Sequence, residues 1–95
     1  MSASTVPIAK FRVGRIVATP NALRSIAEQD IFIAIQRHQA GNWGEVEVAD
    51  SKANDQALVE GTRLLSAYTA QNGTRFWVIT EADRSSTTVL LPQDY

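Results

Sequence analysis

The only histidine of this chain, His38, is the one side chain whose unperturbed pKa lies close to neutrality. It falls near the end of a segment with helical spacing, where the helix C-terminus favours a protonated imidazolium that could act as a general acid. A structural role, in which the ring caps helix carbonyls or packs beside Trp43, accounts for the same position. The sequence leaves both interpretations open.

Residues 80–88, Thr-Glu-Ala-Asp-Arg-Ser-Ser-Thr-Thr, form the densest polar stretch and lie between two segments that predict strands. Two acids, one arginine and five hydroxyl groups within nine residues suit phosphate recognition, or acid–base work if the fold brings them to His38. The catalytic set in that interpretation is His38, Glu81 and Arg84. The same residue types suit a rigid hairpin loop, because Asp, Ser and Thr side chains bond to turn backbones.

Trp43 lies in a turn flanked by Gly41 and Gly44, which makes it a candidate exposed aromatic and an anchor at a protein interface. An inward position against the helices is the alternative. We take the candidate binding residues from this turn, from the helix end before it and from the polar stretch. They are Trp43, His38, Glu81, Asp83, Arg84, Ser85 and Thr87.

The residue types argue against a metal site and against known cofactor motifs. One histidine and no cysteine leave only carboxylates as ligands, which at best suit a weak magnesium or calcium site. Walker, dinucleotide-binding, nucleophile-elbow and HExxH patterns are missing from the sequence. We therefore predict no metal and no cofactor, and the sequence favours a protein that is not an enzyme.

Size and composition predict one small domain. The 95 residues are 44% hydrophobic and 20% charged, with a net charge of −1 and a pI near 5.7. A near-neutral balance disfavours nucleic acid as the main partner, because neutralising phosphates needs a basic excess. The N-terminus does not resemble a signal peptide and no apolar run approaches the ~18 residues of a membrane span, so we expect a cytoplasmic location without membrane contact.

The charges are unevenly distributed along the chain. The basic residues of the first quarter precede any acid, whereas the middle of the chain is mainly acidic. The basic residues are Lys10, Arg12, Arg15 and Arg24, and the acidic ones are Glu45, Glu47, Asp50, Asp55 and Glu60. A contact between one of these patches and a charged patch of a protein partner is therefore compatible with the neutral total.

The elements that must position these residues follow from local signals. Residues 1–10 predict a flexible N-terminus, and residues 11–95 a single domain that begins with a strand over 11–19. Thr19 and Pro20 predict a helix start, and Asp30 predicts the N-cap of a second helix. A third helix is expected over Ser51–Glu60 after Asp50. Gly41 and Gly61 predict the ends of the second and third helices.

The last third of the chain predicts an antiparallel meander. Asn72-Gly73 separates two β-rich runs, 63–70 and 74–80, and is a strong hairpin signal. A third run, 87–91, ends at Pro92. The fold class is therefore predicted as α+β, an antiparallel sheet of this meander plus the N-terminal strand, packed against two or three helices.

Three segments carry a resemblance to a known family. They are Arg37-His38-x-x-Gly41-x-Trp43-Gly44, then Asn54-Asp55-x-Ala57-Leu58-x-x-Gly61-x-Arg63-Leu64-Leu65-Ser66-Ala67-Tyr68, and the stretch from Phe76 to Tyr95, which contains the distinctive run Thr80-Glu81-Ala82-Asp83-Arg84-Ser85 and ends in Leu90-Leu91-Pro92-x-x-Tyr95. Over residues 13–95 the chain resembles short bacterial proteins that travel on plasmids and integrative elements and are usually described as plasmid-related. It departs at Asn42, where the family pattern has aspartate. The resemblance implies mobile DNA, a bacterial cytoplasm and conflict with host defence.

Two functions are compatible with the sequence. The first is a small non-enzymatic interaction protein of a mobile genetic element that modulates or inhibits a host defence or restriction complex. The alternative is a small RelE-like or barnase-like nuclease acting on RNA, with His38 and Glu81 transferring protons and Arg84 binding phosphate. A DNA-binding regulator has less support, because no helix-turn-helix pattern with a basic recognition helix is present. Self-association into a homodimer stays open.

Overall fold

The computed structural model describes residues 8–95, which form three α-helices, four strands and a short 3₁₀ turn. In chain order they are β1 (Arg15–Ala18), α1 (Pro20–Ser25), α2 (Glu28–Gln39), α3 (Val48–Glu60), β2 (Leu64–Thr69), β3 (Arg75–Thr80), β4 (Ser86–Leu90) and the 3₁₀ turn (Pro92–Asp94). The predicted α+β class is confirmed. The predicted flexible segment 1–10 lies mostly outside the described residues. Within it, the Lys10 amide donates to the Gln39 carbonyl at 2.7 Å.

One sheet with the strand order β1-β4-β3-β2 organises the described chain. β2, β3 and β4 form the predicted antiparallel meander, and the Asn72-Gly73 turn is closed by the Gly73 amide, which donates to the Ala70 carbonyl at 2.9 Å. β1 instead runs parallel to β4, so the sheet is mixed and the predicted all-antiparallel sheet is wrong at this strand. Three helices separate β1 from β2, and so long a connection lets the chain return in either direction, whereas a hairpin does not.

Gly14 explains how β1 can approach β4 so closely at its start. Gly14 has φ +63°, and a Cβ built there would lie 2.4 Å from the Ser85 carbonyl oxygen. The next residue, Arg15, then donates its amide to that same oxygen at 3.0 Å. A side chain at position 14 would push the two segments apart, so the β1–β4 pairing depends on this glycine.

The helix boundaries agree in part with the local signals. The Thr19 hydroxyl caps α1 by accepting from the Ala22 amide at 3.1 Å, and Pro20 follows at the first helical position, as predicted. α2 begins at Glu28, so Asp30 is not its N-cap. The Asp30 carboxylate instead accepts from the Gln71 amide at 3.2 Å and holds the hairpin loop.

α3 begins at Val48, earlier than predicted, which places Asp50 in its first turn, where a carboxylate is favourable beside the helix dipole. Gly61 ends α3 in the left-handed conformation, with φ +76°, and Gly41 follows the end of α2 with φ +81°. Both predicted helix ends are therefore confirmed.

Two apolar clusters lie between the helices and the sheet. The larger joins α1 and α2 to the middle of the sheet, and the smaller joins α3 to the start of β2. The larger cluster includes Ala22, Ile26, Ala34, Ile35, Tyr68, Phe76, Val78 and Val89, and the smaller is built from Trp43, Ala57 and Leu64. On the opposite sheet face, the Tyr95 ring meets the edge of Trp77, with 5.6 Å between ring centroids.

The outer edge of β2 is closed by atoms of the same chain. The Asn54 side chain accepts from the Leu65 amide at 3.1 Å and donates to the Leu65 carbonyl at 2.7 Å, as a neighbouring strand would. Further along, the Ala67 amide donates to the Trp43 carbonyl at 3.1 Å, and the Glu45 amide donates to the Ala67 carbonyl at 2.7 Å. The outward backbone groups of Leu65 and Ala67 are therefore satisfied, so most of this edge offers little to another chain.

Replacing Asn54 with alanine should leave the Leu65 amide and carbonyl unpaired at a site where residue 54 is 5% exposed. We expect a loss of about 1–3 kcal/mol in the free energy of unfolding, measured by urea denaturation, because buried unpaired groups keep their desolvation cost. Gln56→Ala is the matched control, since Gln56 bonds only to exposed Glu60 in the described chain. Equal stability of the two variants would contradict the proposed role of Asn54.

Candidate functional site

His38 lies on the inner side of α2 with its side chain fully buried. Its Nδ1 is 2.6 Å from the Ser66 hydroxyl on β2, and its Nε2 is 2.8 Å from the Thr80 hydroxyl on β3. The rings of Phe11 and Trp43 pack edge-on against the imidazole, with centroids 5.1 and 5.7 Å away. The imidazole is therefore enclosed by aromatic rings and hydrogen-bonded at both nitrogens.

The hydrogen bonds of His38 continue across the sheet. The Thr80 hydroxyl is 2.6 Å from the Thr87 hydroxyl on β4, which donates to the Val13 carbonyl at 2.8 Å. A carbonyl only accepts, so Thr87 must donate to Val13 and Thr80 must donate to Thr87. Nε2 of His38 then carries the proton that Thr80 accepts, and Nδ1 accepts from Ser66. The chain of bonds thus places a hydrogen on Nε2, and in the neutral ring Nδ1 is the acceptor.

Burial lowers the pKa of His38 from 6.5 to about 4, and the nearby positive charge of Arg84 contributes in the same direction. The ring is therefore neutral at neutral pH. Both of its nitrogens are engaged by hydroxyl groups of the protein. The alternative nuclease function would need this ring to reach a substrate, and in this structure it is not accessible from the surface.

Arg84 connects the polar loop to the end of α3. Its Nη1 donates to the Thr62 carbonyl at 2.6 Å and to two carbonyls of its own loop, and its Nη2 donates to the Ala57 carbonyl at 3.1 Å. It lies 5.7 Å from the centroid of the Phe11 ring. Its backbone is left-handed, with φ +61°, a conformation that the loop must hold for this contact. The arginine proposed for phosphate binding thus has Nη1 and one N–H of Nη2 engaged by backbone carbonyls.

The other predicted residues of the polar stretch are divided between the loop and the interior. The Asp83 carboxylate accepts from the Ser85 amide at 3.0 Å, and bonding to Ser85 lowers the pKa of Asp83. Thr87 is buried in the chain of bonds to His38, whereas Glu81 and Ser85 have exposed side chains. Across residues 8–95, no hydrogen bond or ion pair joins the side chain of Glu81 to His38 or Arg84.

The expectation that Trp43 is exposed is wrong, because its side chain is 4% exposed. Its ring stacks on Phe11 with 6.2 Å between centroids, and its Nε1 donates to the Asp55 carboxylate at 3.0 Å. The turn folds inward because Gly44, with φ +74°, lies against β2, where a Cβ would be 2.1 Å from the Ala67 carbonyl oxygen. Gly44, one of the two glycines that suggested an exposed turn, therefore allows a close approach instead.

Asn42 uses its side-chain oxygen as an acceptor. That oxygen receives bonds from the Arg37 guanidinium and from the Gly44 amide, each at 3.2 Å. A carboxylate oxygen would accept the same two bonds. The Asn42 backbone carbonyl also accepts from the Tyr68 hydroxyl at 2.6 Å, which fixes the turn against β2.

The sequence interpretation missed an apolar groove of about 820 Å³ between α2 and β1. Ile31, Phe32 and Ile35 of α2 and Ile16 of β1 form its apolar lining. The side chains of Phe32 and Ile16 are 62% and 50% exposed. A signal was present, since apolar residues at 31, 32, 33 and 35 occupy more of the helix circumference than one packed stripe can use.

We also searched the described residues for metal ligands and membrane-spanning helices, and compared the chain with known proteins. Within residues 8–95, no group of three or more His, Cys, Asp or Glu side chains is arranged to hold a metal ion. The helices of the described segment are all too short or too polar to cross a bilayer. Comparison of the chain with protein-family models, curated proteins and solved structures finds no match.

The stability of the protein should fall as pH drops from 6.5 towards 4. Unfolded His38 has a pKa near 6.5 and folded His38 a pKa of about 4, so the unfolded state binds more protons in this window. The contribution is complete above pH 6.5, and about 3 kcal/mol of it is lost by pH 4. Urea denaturation across pH 4–7 measures the slope, and His38→Gln should have a smaller slope because residue 38 no longer titrates.

NMR titration of the single imidazole tests the same prediction without a variant. The ring resonances of the folded protein should stay unchanged between pH 8 and about 5.5. A midpoint near 6.5 in the folded protein would show that the ring is hydrated and would contradict the buried neutral tautomer.

Replacing Thr87 with valine should remove the donor to Val13 and the acceptor for Thr80 while keeping the side-chain shape. We expect the free energy of unfolding to fall by about 1–3 kcal/mol, because buried partners are left unpaired. Thr88→Val is the control at the next position of β4, where the side chain is half-buried and has no hydrogen bond within the described chain. A loss at position 88 as large as that at 87 would contradict the prediction.

Proposed function

We propose that this chain is a small non-enzymatic interaction protein of a mobile genetic element, acting in the bacterial cytoplasm by binding a protein partner. The observation that carries the proposal is the apolar groove between α2 and β1, which has a volume of about 820 Å³. Two of its lining side chains, Phe32 and Ile16, are 62% and 50% exposed. Exposed apolar side chains that are contiguous, rather than scattered singly, are typical of a surface that another protein covers.

The chemistry of the groove supports a protein as its occupant. Its floor is aliphatic and aromatic, and polar side chains surround it: Glu28, Gln29, Gln36 and Gln39. An apolar centre within a polar rim is the usual composition of a protein interface. A nucleic acid would find little to bind there, because the groove carries no lysine or arginine and has one acid at its rim.

The polar loop has less to offer a partner than the sequence suggested. The Arg84 guanidinium is occupied by four backbone carbonyls, and the Asp83 carboxylate by a backbone amide. Binding an external phosphate through Nη1 of Arg84 would have to displace these bonds. We therefore place the partner at the groove and assign the loop to holding α3 against the sheet.

The resemblance to plasmid-related proteins makes a host restriction or defence complex the first class of partner to test. A protein of this size would act there by occupying a surface that the complex needs for assembly or for DNA binding. Residues Glu81 and Ser85 stay available at the loop surface for a secondary contact.

The variant Phe32→Lys should abolish binding of the partner. A lysine at position 32 puts a charge into the apolar groove, and it leaves the fold intact because the native side chain is mostly exposed. Val59→Lys is the matched control, since Val59 is 88% exposed on α3, away from the groove. Each tagged protein is purified from a restricting bacterial host, and restriction of incoming plasmid DNA is scored in the same strains.

The proposal expects one stoichiometric partner with the unchanged protein and with Val59→Lys, its loss with Phe32→Lys, and relief of restriction that follows binding. Recovery of the same partner by all three proteins would place the interface elsewhere. Failure of all three to recover any partner would contradict an interaction function. RNA cleavage by the pure protein that His38→Gln abolishes would favour the nuclease function.

A further inference from the structure

The outer edge of β1 has unpaired backbone groups within the described residues. β1 is the last strand of the sheet, and the amides of Arg15 and Thr19 donate inward to carbonyls of Ser85 and Val89. Because backbone groups alternate in direction along a strand, those of Ile16 and Ala18 point outward. No segment of residues 8–95 pairs with that side of β1.

The two edges of the sheet differ in whether their outward backbone groups are paired. Asn54 and the segment around Glu45 close the β2 edge with side-chain and backbone bonds. β1 is short and begins with the charged Arg15, but the strand Arg-Ile-Val-Ala contains no lysine, proline or bulge, and no side chain of the described residues bonds to its outward backbone groups. An edge of this kind is suited to pairing with another strand.

β1 also has an apolar side chain on each of its faces, with Arg15 beside Val17 on one of them. Ile16 faces the helix layer and is 50% exposed, whereas Val17 faces the other side of the sheet and is 37% exposed. Apolar residues on both faces are typical of a strand that lies inside a sheet, not at its edge. The composition of β1 therefore fits a strand with a neighbour on each side.

We propose that this neighbour is β1 of a second copy, running antiparallel around a two-fold axis at Val17. In that register Ile16 lies opposite Ala18 of the other copy, and each pair exchanges an amide and a carbonyl in both directions. The two pairs satisfy all the outward backbone groups of Ile16 and Ala18 in both copies. Pro20, which has no amide hydrogen, ends the ladder.

Charge complementarity supports a second copy as the occupant. The same register puts Arg15 opposite Thr19 of the other copy, and the Thr19 hydroxyl donates to the Asp94 carboxylate at 2.6 Å. Arg15 forms no ion pair in the part of the chain that the structure describes, whereas Asp94 forms hydrogen bonds to Thr19, Asn21 and Leu91 and feels the positive charge of Arg24 without an ion pair to it. Two Arg15–Asp94 contacts therefore form by symmetry, one on each side of the axis.

The dimer extends the proposed function, and the role that it gives to the groove rests on that function. A two-fold axis through paired antiparallel edges is perpendicular to the sheet, so both α2 helices lie on the same side of the joined sheet. The two grooves then face one another above the paired β1 strands, with Ile16 and Phe32 of each copy beside the axis. One partner segment could lie between the two α2 helices.

The test replaces Val17, whose side chain points away from the groove. Two lysines at this position would lie opposite each other across the axis and repel, and two glutamates would do the same. A lysine opposite a glutamate would attract it. We expect a dimer for the unchanged protein and for Val59→Lys, and a dissociation constant raised about tenfold or more for Val17→Lys and for Val17→Glu. An equimolar mixture of the two should recover a heterodimer. Sedimentation velocity over a range of concentrations measures all of these.

Val17→Cys gives a second readout in a chain without native cysteine. Directly opposed residues with inward-pointing amides have closely spaced Cα atoms, within reach of a disulfide, so mild oxidation should link the two copies. Val59→Cys, which should not link, is the control. Oxidation forms one S–S bond from two thiols and transfers two electrons and two protons to the added oxidant.

A monomeric unchanged protein at high concentration would overturn the proposal, as would dimers of Val17→Lys and Val17→Glu that are as stable as the unchanged dimer. Circular dichroism of each variant confirms that the fold is kept. The host partner is not part of these measurements. A dimer without a partner therefore contradicts only the proposed function, and a partner bound by a monomer contradicts only the dimer.

Discussion

An imidazole enclosed between a helix and a sheet needs a hydrogen-bond partner at each nitrogen, because an unpaired polar atom there keeps its full desolvation cost. Here that requirement extends through four elements, since the bonds of His38 on α2 reach β2, β3 and β4 and end at the carbonyl of Val13. The last acceptor has no proton to give, so it sets the direction of every bond before it. Movement of α2 along the sheet would leave at least one member unpaired. Polar contacts thus fix the position of a helix layer that apolar packing alone would hold less specifically.

The polar residues that the sequence suggested for catalysis or phosphate binding form hydrogen bonds to backbone groups instead. The same donors and acceptors suit both uses. A guanidinium that could bind a phosphate can equally gather the carbonyls at the end of a helix, as Arg84 does for Ala57 and Thr62. A carboxylate that could take a proton can equally close a turn, as Asp83 does for Ser85. Sequence alone cannot separate these uses, because both need the same donors and acceptors at the same local spacing. What separates them is whether the groups are already engaged, which depends on contacts between residues distant in the sequence.

Features encoded within a few residues were predictable from the sequence. The Asn72-Gly73 turn predicted the hairpin, Thr19-Pro20 the start of α1, and Gly61 the end of α3. The parallel pairing of β1 was not predictable in this way, because it depends on the close approach of Gly14 to Ser85, far along the chain. The inward position of Trp43 depends likewise on the contact of its turn with β2. The groove was not predictable because helical spacing assigns Phe32 to the apolar face of α2. The spacing does not show which part of that face the sheet covers.

The two open features of the surface share a cause. A helix can pack one stripe against a sheet, and α2 uses Ala34, Ile35 and His38 for this purpose, which leaves Phe32 beyond the margin of β1. The unpaired edge of β1 lies directly beneath that margin, and Ile16 belongs to both the edge and the groove. The amide of Asn54 pairs with both outward backbone groups of Leu65 at the β2 edge, yet β1 has no such side chain within the described residues. Pairing at β1 would extend the sheet under α2, so one contact would satisfy the backbone of the edge and provide cover for Phe32 at the same time.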